Sequence, residues 1–294
     1  MNQLILKPKN DLIFKLILEK NKENLINFLI ATLDINREDV KEVQVLNPYS
    51  KMEKLYGKTT ISDLKAELTL TQRTQMINLE IQLLSTRYMK ERLLFGLAKS
   101  VTEQKNRGDN YKLKKVISIL ITDYILEKDH NKYHDVYRLS SDITKTMFSD
   151  NIEVHTIEIP KLPKKDDGTN LYNWVSFLKA ETEQEIAMIA KKAPIFEDII
   201  FTLKELSEDE ATRLAAEARD AALWDQAGRE EEALERGIQQ GKIEGIEQGK
   251  IEGIEQGIKN SALKMYQKGH DIKFIADILD KSEDWVQMML ESNN

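Results

Sequence analysis

Between residues 61 and 84 apolar and polar side chains alternate. Leu64, Ala66 and Leu68 are interleaved with Asp63, Lys65 and Glu67. After a polar turn at 71–75, Ile77, Leu79, Ile81 and Leu83 are interleaved with Asn78, Glu80 and Gln82. A period of two sends alternate side chains to opposite faces of a strand, so the stretch predicts two strands with one apolar and one polar face each. Paired as a hairpin, they would bring Asp63 and Glu80 onto the same face. Upstream, Leu12, Ile13, Leu16 and Ile17 have helical spacing behind Asn10 or Asp11 as N-cap, and a second helix is expected over 24–33. Residues 40–46 alternate again and read as the first strand. Downstream, a helix is expected from 86 to about 105, with Tyr88, Arg92, Phe95 and Lys99 on one face and the two aromatics in the core. VISILITDYIL, starting at Val116, is apolar on both faces, as a covered central strand is. Segments at 136–139 and 154–159 complete an α/β fold with a mixed central sheet of about six strands flanked by helices.

The pattern changes after Pro160 and Pro163. The polar run KKDDGTN (164–170) is a candidate boundary, placing a first domain at 1–165 and an acidic helical segment at 166–236. In that segment Trp174, Phe177 and Leu178 have helical spacing, Pro194 restarts a helix, and Ser207 with Glu210 reads as a capping box. KIEGIEQG then occurs twice in tandem, at 242–249 and 250–257, within a 237–258 region that has glycine at every fourth position. Each such glycine costs a helix about 1 kcal/mol relative to alanine. A connector-like helix is therefore favoured over a glycine stripe that seats another backbone. The last segment, 259–294, predicts three short helices, two of them capped by Asp271 and Ser282. Its final helix carries Glu283, Asp284 and Glu291 without a Lys or Arg, which suits docking or self-association better than reading a DNA groove.

Composition narrows the chemistry. The 294 residues contain no cysteine, which excludes disulfides, thiolate metal sites and cysteine nucleophiles and fits a cytoplasmic protein. No apolar run is long enough for a membrane span, and charges interrupt the N-terminal apolar residues, so neither an anchor nor a signal peptide is expected. The net charge of −7 hides a division. Residues 1–165 hold 28 Lys and Arg against 22 Asp and Glu, whereas 166–294 hold 15 against 28. The basic front leaves a phosphate-backbone partner open. Of the four histidines, His130, His134, His155 and His270, none sits in a nucleophile motif, and the 130/134 pair lacks the glutamate of a zinc-protease helix.

Alternation alone would make Asp63 and Glu80 idle members of a solvated sheet face. Converging carboxylates are also the oxygen ligands that Mg²⁺ or another divalent cation takes. Asp63 followed after a short hairpin by Glu80-Ile81-Gln82 resembles the PD-(D/E)xK nuclease motif, in the branch called the recombination-promoting nuclease (Rpn) transposase family. LKPKNDLIFKLIL (6–18), RLLFGLAKSVTEQKNRGDNYKLKKVISILI (92–121) and HTIEIPKLP (155–163) resemble further blocks of that family, in order, over about the first 165 residues. The resemblance implies a restriction-endonuclease-like core with an α-helical C-terminal extension, ending in a small helix-turn-helix-like tail. It implies Mg²⁺-dependent cleavage of DNA, linked to recombination or mobile elements, by a protein associated with the nucleoid when bound to DNA. Asp63 and Glu80 would hold the cation with a backbone carbonyl, that of Ile81. Gln82 stands where the motif usually has lysine; it orients water but brings no charge. Lys65 or Lys99 would supply that charge. Asp11, Lys15 and Arg92 would support the site, and Lys112, Lys114 and Lys115, with Lys7 and Lys9, would meet DNA phosphates. Self-association through the C-terminal helices is a further expectation. The alternative is a nuclease fold kept as a DNA-binding or protein-interaction module without turnover.

Overall fold

The computed structural model describes residues 6–46, 63–104 and 112–291. The sequence also predicts a turn at 56–59 and a helix end at Gly108; both lie outside the described residues. Helix α1 (Asp11–Lys20) is capped by Asn10, whose Oδ1 accepts from the backbone N–H groups of Leu12 and Ile13 at 3.1 and 3.3 Å. Helix α2 (Lys22–Leu33) ends on Asp34 in the left-handed conformation at φ 51°. Strands β1 (Val40–Val45), β2 (Asp63–Leu70), β3 (Thr74–Gln82), β4 (Lys115–Thr122), β5 (His134–Ser140) and β6 (Met147–Glu158) form one sheet in the order β1-β2-β3-β4-β6-β5. The β3–β4 and β4–β6 pairs are parallel and the others antiparallel. Between two parallel neighbours, β4 is buried at every position, which explains why Val116, Ile117, Ile119, Leu120 and Ile121 put apolar side chains on both of its faces.

One face of the sheet carries Leu64, Ala66, Leu68, Ile77, Leu79, Ile81, Ile117 and Ile119 into the main core. Against it pack α1, α2 and three later helices, α4 (Asn170–Lys179), α5 (Glu183–Lys192) and α6 (Ile195–Glu208). Trp174 is at the centre, meeting Phe14, Phe28, Phe177 and Phe196 edge-on at centroid distances of 5.1 to 6.5 Å, and its indole N–H donates to Asn27 Oδ1 at 2.8 Å. Residues before and after the polar break at 164–170 thus share one core. The chain divides instead into compact units 1–225 and 226–294, and the break lies within the first.

Helix α3 (Met89–Thr102) covers the other sheet face. Its inward stripe lies one to two positions later than the sequence pattern predicts. Met89, Leu93, Leu97 and Val101 recur every four residues; Met89 is buried, and the other three pack toward Met76, Val116, Ile152 and Val154. Tyr88 and Phe95, expected in the core, are 62% and 74% exposed, because a shift of one residue turns a helical side chain by about 100°. The expected capping box at Ser207 is also corrected. Ser207 is inside α6, its hydroxyl donating to Leu203 O at 2.7 Å, while Asp209 accepts from the Thr212 N–H at 3.0 Å and caps the next helix, α7 (Glu210–Gln267).

In the second unit, α7 runs unbroken through the glycine repeat and on to Gln267, where a separate short helix was expected. Space is open around each repeat glycine. Gln240–Glu244 and Gln248–Glu252 side-chain hydrogen bonds of 2.7 and 2.9 Å bridge successive turns. Helices α8 (Ile272–Leu279) and α9 (Glu283–Glu291), capped by Asp271 and Ser282, close a small core of Ala262, Ile275, Ala276, Val286 and Met289.

Candidate active site

The β2–β3 register pairs Asp63 directly with Glu80, Lys65 with Asn78 and Glu67 with Met76. Directly paired residues share a face, so the two acids fall side by side on the polar face, as the alternation predicts. The Asp63 carboxylate lies outside the described side chains. The parallel neighbour β4 sets Ser118 beside Asn78, Leu120 beside Glu80 and Thr122 beside Gln82. Helix α3 leaves a cavity of about 340 Å³ over this face, with Lys65, Asn78, Glu80, Arg92, Lys99 and Ser100 among its lining residues. Asn78 Nδ2 donates to Ser100 Oγ at 2.8 Å and ties the helix to the strand.

Glu80 is the polar centre of this cavity. Its side chain is 14% exposed. Oε1 accepts from Gln82 Nε2 at 2.7 Å and from the Arg92 guanidinium, which reaches down from α3. Arg92 therefore points at the acidic site. Lys65 and Lys99 line the same cavity, but their ammonium groups each lie 3.7 Å from Glu103. Ile81 is buried in the core with its backbone at the level of Ile121. Among the described residues no three His, Cys, Asp or Glu side chains form a ready metal cage.

The other expected site residues divide by position. Asp123, just beyond β4, donates its N–H to the Gln82 carbonyl at 3.0 Å, and Lys9 lies 3.0 Å from the Asp123 carboxylate and 2.7 Å from Glu181. Burial works to lower the Lys9 pKa, and the two carboxylates outweigh it, so Lys9 is held above the ordinary lysine value. Lys7 reaches Glu181 at 3.5 Å. Asp11 meets Arg219 at 2.5 Å; burial pushes its pKa up despite that partner. Lys15 is buried, at 4% exposure. Lys112 is exposed, Lys114 pairs with Glu67, and Lys115 is buried 2.9 Å from Glu153. Lys115 starts β4, five residues before Leu120 at the level of Glu80, so about 16 Å of strand separates them. Buried in an ion pair at the far end of the strand, Lys115 is not placed to meet a phosphate at Glu80.

Two features escaped the sequence reading. Tyr124, beyond the end of β4, has a buried hydroxyl with no hydrogen-bond partner among the described residues. Burial raises its pKa, against the nearby positive charge of Arg92, which lowers it. The second is a polar chain on the core-side face of β5 and β6. His134 Nε2 contacts His155 Nδ1 at 2.9 Å, and His155 Nε2 contacts Glu153 Oε1 at 2.8 Å. Glu153 Oε2 accepts from Lys115 at 2.9 Å and from Arg138 at 2.6 Å. Burial would raise the Glu153 pKa, but these three donors outweigh it and hold the carboxyl far below its ordinary range. Burial, with the neighbouring His155, lowers His134 to about 4. The two-residue spacing of Glu153 and His155 on a strand was the available signal.

No helix among the described residues is long and apolar enough to cross a membrane. A family model described as PD-(D/E)XK nuclease family transposase matches residues 8–233. Comparisons with curated proteins and with solved structures return no match.

Proposed function

The chain belongs to the PD-(D/E)XK nuclease transposase family, and from that footing we propose that it is a DNA endonuclease that hydrolyses phosphodiester bonds with a divalent cation, Mg²⁺ first among them. The observation that carries the reading is the direct pairing of Asp63 with Glu80. Two adjacent carboxylates on rigid strands repel each other and favour a cation between them. An all-oxygen donor set of this kind fits a hard divalent ion, with the Ile81 carbonyl and water as further ligands. When bound, the ion would polarise the phosphoryl oxygen and lower the pKa of a bound water.

This chain's own residues have separate tasks in that reading. Asp63 and Glu80 would hold the ion. Gln82, whose amide is already within 2.7 Å of Glu80, orients the attacking water without acting as a base. Lys65 and Lys99, on the cavity wall, attract the DNA strand and offset the charge that builds on phosphate. Lys7 and Lys9 lie toward the end of β3 nearest the site, and Lys112 and Lys114 at its other end would meet the duplex further along its backbone. The acidic tail in the second unit contributes no catalytic group; its last helix, without a Lys or Arg, suits self-association of this chain better than groove reading. The family's description as a transposase supports a role in recombination or element movement.

The test is plasmid DNA incubated with the purified protein, with and without Mg²⁺, beside Glu80→Gln. Mg²⁺-dependent nicking that Glu80→Gln loses supports the reading, and wild-type nicking in excess EDTA sinks it. One observation favours a second reading, a nuclease fold without turnover: no charged group stands at position 82, and Glu80 is already engaged by Arg92. Mg²⁺-independent DNA binding with no cleavage would select that reading.

A further inference from the structure

We propose that Arg92 is the resident counter-ion of Glu80, which the divalent cation displaces, and that the released guanidinium then takes the phosphate of the DNA strand. The inference rests on the reading of Asp63 and Glu80 as the cation site.

Three observations carry it. Of the three cationic side chains lining the cavity, Arg92 is the one whose charge meets Glu80, while Lys65 and Lys99 approach Glu103 instead. The hydrogen bonds that Arg92 and Gln82 donate to Glu80 fall on the same oxygen, Oε1, so Arg92 holds one corner of the carboxylate rather than enclosing it. And Arg92 is 46% exposed against 14% for Glu80, so the long side chain has solvent into which to swing while the carboxylate stays on its strand.

Electrostatics set the direction of the exchange. Asp63 opposite Glu80 makes a site of two formal negative charges, and one guanidinium neutralises one of them. A dication neutralises both and takes more oxygen ligands, so it out-competes the arginine. A guanidinium released at the mouth of the cavity then needs an anion, and its planar fork fits two phosphate oxygens. Position 82 has no charge to offer there, and Arg92 would supply it from the opposite wall.

Competition and catalysis predict opposite signs for one substitution, which a purely structural arginine would not give. The full chain is titrated with Mn²⁺, free ion being counted by electron paramagnetic resonance, and plasmid cleavage is measured separately at saturating Mg²⁺. In Arg92→Gln, Mn²⁺ should bind about tenfold more tightly, the scale of one charge-assisted contact no longer to be broken. Cleavage should fall roughly a hundredfold, as when one donor to a developing phosphate charge is lost. Arg92→Lys should lie between wild type and Arg92→Gln on both axes. Unchanged or weaker Mn²⁺ binding in Arg92→Gln, with Glu80-dependent binding intact in the wild type, overturns the proposal alone. Full cleavage by Arg92→Gln at saturating Mg²⁺ also overturns it. If the wild type shows no Mn²⁺ binding that Glu80→Gln removes, the cation-site reading itself fails and the proposal with it. An unaltered melting temperature in both Arg92 variants would confirm that they are folded.

Discussion

Glu80 and Glu153 are two low-exposure glutamates on one sheet, on opposite faces and two strands apart. Glu153 is saturated: His155 takes one oxygen, and Lys115 and Arg138 take the other. Glu80 has a guanidinium and an amide, both on Oε1, beside a cavity of about 340 Å³. Burying a carboxylate costs several kcal/mol unless it is paired and hydrogen-bonded. Glu153 meets that cost with fixed partners and so fastens β4, β5 and β6 together. Glu80 meets it with a partner on a long, half-exposed side chain and an open neighbouring volume. A saturated carboxylate is a structural joint; an under-coordinated one facing space is a place for a ligand.

The two glutamates should therefore fail in different ways. Glu80→Gln should remove cleavage by at least about a thousandfold, the order expected when a main electrostatic group in a site is lost. Its melting temperature should stay within a few degrees of wild type, since the glutamine keeps shape and volume. Nicking assays with parallel thermal melts check both. Glu153→Gln should do the reverse, lowering stability by about 3 kcal/mol because Lys115 is left buried without its counter-charge. Cleavage per folded molecule should be retained, measured after correcting for the folded fraction in a urea titration. If both variants lost activity and kept stability, the contrast between joint and ligand place would collapse.

Smaller effects sharpen it. Lys65→Ala and Lys99→Ala should each reduce cleavage by about tenfold, the scale of one rim charge in a partly screened site, and together by more than either alone. Unchanged rates in both would leave Arg92 as the cation that offsets the uncharged Gln82. A further effect concerns stability against pH. His134 is lowered to about 4 in the fold, against 6.5 unperturbed, so acid favours the unfolded chain, which takes up the proton first. Stability from this group is whole above pH 6.5 and is lost as pH falls from there toward 4. The melting temperature should drop from pH 7 to pH 5, and His134→Gln should flatten that part of the profile.

Much of the first unit was legible because period two and helical spacing report which face is buried. Asp63 and Glu80 could be placed together from alternation and a short turn alone, and the covered strand at 115–122 from the apolar residues on both of its faces. What stayed hidden depended on partners distant in sequence. The helix over the site was assigned to the stripe through Tyr88 and Phe95, because aromatics weigh heavily in a sequence pattern; sheet packing chose Met89, Leu93 and Leu97 instead. Lys115 looked like one of three surface lysines, and only the arrival of Glu153 on a neighbouring strand shows why it is buried. The run at 164–170 has the composition of a linker, yet Trp174 behind it fills the centre of the core. Polar loops mark where a chain is solvated, not where its core ends.

The octapeptide repeat in α7 has a geometric consequence of its own. At 1.5 Å and 100° per residue, each eight-residue copy advances a helix by about 12 Å and turns the downstream residues by about 80°. Within the second unit, a gain or loss of one copy would therefore act like a fixed increment of a screw, re-aiming the Ala262–Met289 core by under a quarter turn while changing its reach. Because open space surrounds the repeat glycines, no packed neighbour would have to be rebuilt to accept the change. Within that unit, axial spacing and rotation along α7 are then set together by copy number, in steps that cannot be taken separately.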